Sequence, residues 1–343
     1  MKKSNLQIQN FLRRLLDLFA LWSLTAIVSA QTLTTEKPDS GGERKWQTAT
    51  EALVVLDIET VPDARSANTL GTERKGNGVL IATNWVLTIG YLILEADKIS
   101  VTDIHGKKLP GIAAAYDHST GFGLVKLLAP SKARPIDLGR ARGVPKDTPV
   151  LVLGSEGVQA ARIVDRRQFT GAWEYLIEAA IFTAPPIENW GGSALVDEDG
   201  ELIGVGSLFM RDVTTDDRGI AGNMFVPIDL LRPILATMKE TGRSGLAAKP
   251  WLGISTELLH NALVITRVSP DSPAHKSGLA RGDIIQAVGD KTPNSRADLY
   301  TSIWALGQAG VEVPLTVQRG LEKKIIKVKS MDRMDFLKPK TMF

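Results

Sequence analysis

The chain has 343 residues, 43% hydrophobic and 23% charged, a length and balance that suit two packed domains. It contains no cysteine, which excludes disulfide staples, thiolate metal sites and a cysteine nucleophile together. Lys and Arg number 41 against 38 Asp and Glu, but the excess lies in the first thirty residues, where Lys2, Lys3, Arg13 and Arg14 face only Asp17. Beyond them each sign counts 37, and so balanced a body excludes electrostatic binding of nucleic acid or anionic membranes.

In chain order, residues 1–30 read as a signal peptide. A basic region precedes an apolar run from Leu18 to Val28, and Val28-Ser29-Ala30 supplies a small-residue cleavage site. The run is short for a bilayer span; an uncleaved membrane anchor is the alternative. The expected location is therefore exported, periplasmic or extracellular, with or without anchoring. Residues 31–50 are polar, with Pro38, Gly41 and Gly42, and predict a flexible linker.

From 51 to 241 the pattern changes to short β-rich runs between Gly, Asp and Asn turns: 52–58, 78–82, 85–88, 98–102, 123–128, 150–153, 175–181, 193–196 and 202–208. Many short strands indicate a barrel or sandwich. Leu230, Leu231, Ile234, Leu235 and Met238 fall at helical spacing and predict a helix over 230–241, ended by Gly242. Residues 242–249 form a second linker. A compact α+β unit follows over 250–336, with a helix from 295 to 306 capped by Asn294 or Ser295, and 337–343 is a tail. The four histidines, His105, His118, His260 and His275, are scattered without an i, i+4 pair, so no metal site and no cofactor are expected.

Three ordered segments of the first body resemble HtrA/DegP-type serine proteases. In Leu87-Thr88-Ile89-Gly90-Tyr91 the resemblance puts Tyr91 where the family has its catalytic His. The run Gly121-Phe122-Gly123-Leu124-Val125-Lys126 is similar to the family's Asp-Leu-Ala-Leu-Leu-Lys, which sets Gly121 at the catalytic Asp. Glu188-Asn189-Trp190-Gly191-Gly192 resembles the nucleophile loop Gly-Asn-Ser-Gly-Gly, with Trp190 at the Ser and one extra residue between Trp190 and Gly200. Residues 223–235 resemble the segment closing the second barrel.

Serine acyl transfer needs a hydroxyl nucleophile, a base of near-neutral pKa and an acid that orients the base. A phenol is a donor at neutral pH, glycine orients nothing, and an indole offers only an N–H. The resemblance therefore implies no catalytic residues, with Tyr91, Gly121 and Trp190 at degenerate triad positions. Glu188, where the family has glycine, would set a carboxylate against a developing oxyanion. Neither Ser193 nor His118 has a partner in the pattern that would let it act instead; they read as a strand-entry serine and a solvated turn histidine.

Residues 251–336 resemble the PDZ domain of HtrA proteins. Trp251-Leu252-Gly253-Ile254 matches its carboxylate-binding loop, 262–285 its strand and Pro-Ala turn, and 294–306 its groove helix. The resemblance implies a fold that is mostly β, a chymotrypsin-like double β-barrel followed by a C-terminal α+β PDZ domain. It also implies peptide binding at Trp251, Leu252, Gly253, Ile254, Leu299 and Ile303: loop N–H groups receive a terminal carboxylate, and the peptide adds as a strand. Leu299 and Ile303, at i and i+4, read either as the wall of an aliphatic pocket or as core.

Three functions follow as expectations. The first is an exported pseudoprotease that binds peptides or protein C-termini through its PDZ domain. The alternatives are an active HtrA-like serine endopeptidase in envelope protein quality control, and a non-catalytic regulatory partner of an active paralogue. Homo- or hetero-oligomers with HtrA-like proteins belong to the resemblance as well.

Overall fold

Alternation of inward and outward side chains begins at Leu53, where Val54, Leu56 and Ile58 turn into a core and set the first strand. The computed structural model describes residues 48–215 and 219–338, all within one unit of the chain, Lys45–Phe343. The expected signal peptide and all but the last three residues of the expected linker lie outside the described residues. Those three are not a free tether: residues 48–51 form a helical turn with Ala49 buried.

Strands β1 (Leu53–Thr60), β2 (Glu73–Ala82), β3 (Trp85–Ile89), β4 (Ala96–Asp103), β5 (Lys108–Tyr116) and β6 (Phe122–Leu127) close a barrel in the order β1-β2-β3-β6-β5-β4. A short helix, α1 (Ala67–Leu70), lies in the β1–β2 connection. Strands β7 (Pro149–Gly154), β8 (Gly157–Gly171), β9 (Tyr175–Ala184), β10 (Ala194–Val196), β11 (Leu202–Met210) and β12 (Gly222–Pro227) close a second, β10-β11-β12-β9-β8-β7. Its core is built from Val150, Val152, Ile163, Ile181, Leu195, Ile203 and Phe225. Three strands, β5, β8 and β12, lie where the sequence pattern sets none, the last within the segment 223–235 that the resemblance marked as closing the barrel. Pro110, Gly111 and three alanines mask β5; in β8, Arg162, Arg166 and Arg167 and two register shifts break the alternation.

The helix expected over 230–241 is shorter. Residues Ile228–Leu230 form a 3-10 turn, and only α2 (Leu235–Thr241) is α-helical. Pro233 has no N–H to donate and disfavours a helical residue before it, so the chain enters the helix only beyond it. The expected stop holds: Gly242 takes a left-handed φ of 78° and its N–H bonds to the Met238 carbonyl at 3.0 Å.

The C-terminal body is a five-stranded antiparallel sheet, β13 (Ile254–Leu259), β14 (Ala262–Val268), β15 (Ile284–Val288), β16 (Glu312–Arg319) and β17 (Glu322–Lys329), in sequence order. It carries α3 (Pro273–Lys276) and α4 (Arg296–Trp304), the latter capped by Ser295, whose Oγ accepts from the Asp298 N–H. The sheet ends at Lys329, short of the expected boundary at 336. Residues 330–338, including α5 (Arg333–Phe336), turn back as a strap onto the first barrel. Trp251 and Met331 exchange backbone hydrogen bonds, Phe336 packs on the Trp251 ring at 4.7 Å, and the Lys338 N–H reaches Glu95 at 2.7 Å. Arg243 pairs with Asp332 and Asp335, so the linker expected at 242–249 is tied to the same strap. Among the described residues no helix is long and apolar enough to cross a membrane.

Candidate functional site

The three segments expected around a catalytic cleft meet where the barrels face each other. Tyr91 lies in the 3-10 turn Gly90–Leu92 that follows β3. Buried Arg74 fixes this turn by donating to the carbonyls of Tyr91 at 3.0 Å and Leu94 at 2.8 Å, and burial lowers its pKa to about 10. The Tyr91 hydroxyl donates to the Ser207 carbonyl at 3.0 Å, and a Cβ on Gly191 would stand 2.8 Å from it. Burial pushes this phenol well above its ordinary range, so it stays protonated.

Gly121 closes a tight turn with φ of 81°, a conformation that favours glycine. Asp117 holds the turn by accepting from the Thr120 N–H and hydroxyl, and the Gly121 carbonyl accepts from Gly90, next to Tyr91, at 2.6 Å. Trp190 is half-buried and packs on Phe209 at 5.7 Å. Ser193 is fully buried, and its hydroxyl donates to the Trp190 carbonyl at 2.8 Å. Asn77 stitches this loop to both barrels. Its Nδ2 donates to the carbonyls of Asn189 and Gly191 at 2.7 and 3.2 Å, while its Oδ1 accepts from Ser155 at 2.7 Å.

His118 is not the solvated histidine expected. It is enclosed beside Tyr116 and Tyr175, with Arg333 donating to its Nδ1 at 2.9 Å. Burial and the guanidinium hold its pKa well below the usual range, so the ring is neutral and an acceptor toward Arg333.

At the second expected site, Gly253 has φ of 86°, and a Cβ there would collide with Ser272. This conformation aims three successive N–H groups at one point. A carboxylate occupies that point. Glu174, in the turn between β8 and β9, accepts from Leu252 at 2.8 Å, Gly253 at 2.7 Å and Ile254 at 2.9 Å. The Tyr300 hydroxyl donates to the Gly171 carbonyl at 2.9 Å, Ser255 Oγ to that of Ala172 at 3.2 Å and Arg296 to that of Thr170 at 3.3 Å. Trp251 is buried and packs on Phe336 of the strap. Leu299 and Ile303 are buried in the same core as Leu252 and Ile254, exposed by no more than 1%.

Residues 76–205 match the trypsin-like peptidase domain family and residues 250–329 the PDZ domain family. The chain is 26% identical over 278 residues to serine protease HTRA1 of Xenopus tropicalis, covering 72% of its own length and 58% of the relative. Against a probable periplasmic serine protease of Haemophilus influenzae, described as do/HhoA-like, it is 26% identical over 272 residues. That match covers 74% of the chain and 57% of the relative. The chain thus spans little more than half the length of these relatives. A solved serine endoprotease from Yersinia pestis shares the fold, with a TM-score of 0.52 over 87% of this chain and 99% of the other at 21% identity. The chain thus carries a trypsin-like peptidase domain followed by one PDZ domain.

The functional residue that the sequence alone did not reveal is Glu174. It sits 78 residues before the loop it fills, in a turn whose preceding strand was itself unrecognised. Its carboxyl is pushed up to about 7, burial outweighing the three N–H bonds and Arg333, all of which favour the charged form. Arg333, Arg296, Tyr300 and His118 surround it; burial moves Tyr300 up and His118 down, out of this range, and arginines do not titrate in it. A carboxyl raised above its ordinary 4.5 binds its proton more tightly when docked. The resulting stabilisation is complete below pH 4.5 and is lost as the pH rises through 7. Thermal melts between pH 5 and 8 are therefore expected to show wild type losing up to ~3 kcal/mol relative to Glu174→Gln. A gap between the two proteins that does not vary with pH would contradict this.

Proposed function

We propose that this chain is an exported HtrA-like pseudoprotease that binds peptide or protein C-termini through its PDZ domain, its barrels serving as a non-catalytic scaffold. The observation that carries the loss of catalysis is the bonding around Tyr91. The side chain at the expected base position is a protonated phenol committed to the Ser207 carbonyl. The only hydroxyl in the nucleophile loop, that of Ser193, is buried and committed to Trp190. No imidazole joins them, since His118 is engaged by Arg333.

Recognition of C-termini is supported by the loop Leu252–Ile254, whose three convergent N–H groups already hold a carboxylate. Export is supported by the basic and apolar N-terminal pattern.

A fluorophosphonate probe tests the first half of this reading. We expect no labelling of the purified protein above that of Ser193→Ala, and no cleavage of unfolded protein substrates. Labelling that disappears in Ser193→Ala would instead identify a displaced nucleophile and an active endopeptidase.

A further inference from the structure

The PDZ loop receives its carboxylate from within the chain. Glu174 is 3% exposed, takes all three loop N–H groups, and is reinforced by bonds from Tyr300, Ser255 and Arg296 to the backbone of the preceding residues 170–172. These are the groups that a chain-terminal carboxylate would need, so the two carboxylates exclude each other. The occupation has a distinct geometry. No backbone pairing joins residues 170–174 to β13, which hydrogen-bonds as a strand to β14. The hairpin thus fills the carboxylate position without completing the sheet, and an incoming peptide would gain the strand pairing that the hairpin lacks.

The same turn reaches the barrel cleft. Trp173 meets Tyr91 edge-to-face at 6.4 Å, and the Arg333 guanidinium stands 4.8 Å over its ring. Arg333 is buried against His118 and Tyr116 of the first barrel. Residues 173 and 174 therefore touch two sites at once: one the degenerate cleft, the other the PDZ loop.

We propose that Glu174 is the resident ligand of the PDZ domain, and that an external C-terminus binds only by displacing the turn 171–175, which withdraws Trp173 from Tyr91. This rests on the reading of the PDZ domain as a C-terminus binder. Displacement sets a threshold: affinity is reduced by the fraction of molecules in which the turn is out, so weak C-termini are refused and only ligands that add strand pairing succeed.

The test uses the full chain as wild type, Glu174→Ala and Glu174→Gln. Hydrogen–deuterium exchange is followed over residues 250–256, and fluorescence anisotropy is measured with a peptide ending in Val as free acid and as amide. We expect slow exchange in wild type and at least tenfold faster exchange in Glu174→Ala. The free acid should bind Glu174→Ala at least tenfold more tightly than wild type, with no gain for the amide. Glu174→Gln should fall between them, because its amide nitrogen cannot accept a bond from the loop; it also serves if the alanine variant does not fold. Unprotected amides in wild type, or equal affinity of the free acid for wild type and Glu174→Ala, would overturn the proposal, the latter leaving C-terminus recognition intact. Binding to neither protein, together with accelerated exchange in Glu174→Ala, would sink C-terminus recognition and support Glu174 as the resident ligand.

Discussion

Replacing Asn77 by alanine is expected to cost about 3 kcal/mol of unfolding free energy. Asn77 is 1% exposed and its amide makes three hydrogen bonds, to the Asn189 and Gly191 carbonyls and from the Ser155 N–H. Alanine removes all three and supplies no substitute. The Gly191 carbonyl keeps the Asn77 backbone N–H at 2.8 Å, so it is not orphaned. The Ser155 N–H and the Asn189 carbonyl each lose this partner, at roughly 1–3 kcal/mol apiece where water does not enter. At ~2–4 °C per kcal/mol for a chain of this size, the midpoint should fall by about 6–12 °C in a thermal melt. Asn77→Asp retains the acceptor for Ser155 but sets a carboxylate against two carbonyls, and should be no more stable than the alanine variant. A loss below ~1 kcal/mol for Asn77→Ala would mean that the loop is not held from the first barrel.

This seam also shows how much could be read before the fold was known. The alternation in 52–58 and 98–102 fixed strands that pair as β1 and β4, because each buries one face of a closed barrel. The motif positions Tyr91, Gly121 and Trp190 converge because Gly121 bonds to the residue before Tyr91, and Tyr91 packs on the residue after Trp190. Spacing along a chain carries no such information by itself; the resemblance supplied it. Asn77 was not legible, since its side-chain partners lie 78 to 114 residues away. Glu174 was illegible for the same reason. Nothing local marks a turn carboxylate as a ligand for a distant nest of N–H groups. The strap at 330–338 likewise read as the end of the PDZ domain, because its contacts to Arg65 and Glu95 are long-range.

Installing a triad at the positions that the resemblance implies, Tyr91→His with Gly121→Asp and Trp190→Ser, is expected to leave the protein without detectable proteolysis, three orders of magnitude or more below an active enzyme. The backbone around these positions is held by bonds that three new side chains would not change. At φ of 81° an aspartate at 121 is strained, and the turn that holds it is pinned by Asp117 and Gly90. In the nucleophile loop the Gly191 carbonyl is held by Asn77, and the Trp190 carbonyl by the Ser193 N–H and hydroxyl. A serine at 190 therefore inherits a loop whose carbonyls at 190 and 191 are already engaged, with the Gly192 N–H committed to the Gly206 carbonyl. Glu188 adds an exposed carboxylate two residues before it, which would repel the negative charge developing on an oxyanion. The substitution of Tyr91 also removes the edge contact that positions Trp173. Fluorophosphonate labelling and hydrolysis of an unfolded substrate measure the outcome, with circular dichroism to establish that the triple variant folds. Efficient turnover by that variant would show that only three side chains had been lost and that the loop had kept a working oxyanion site.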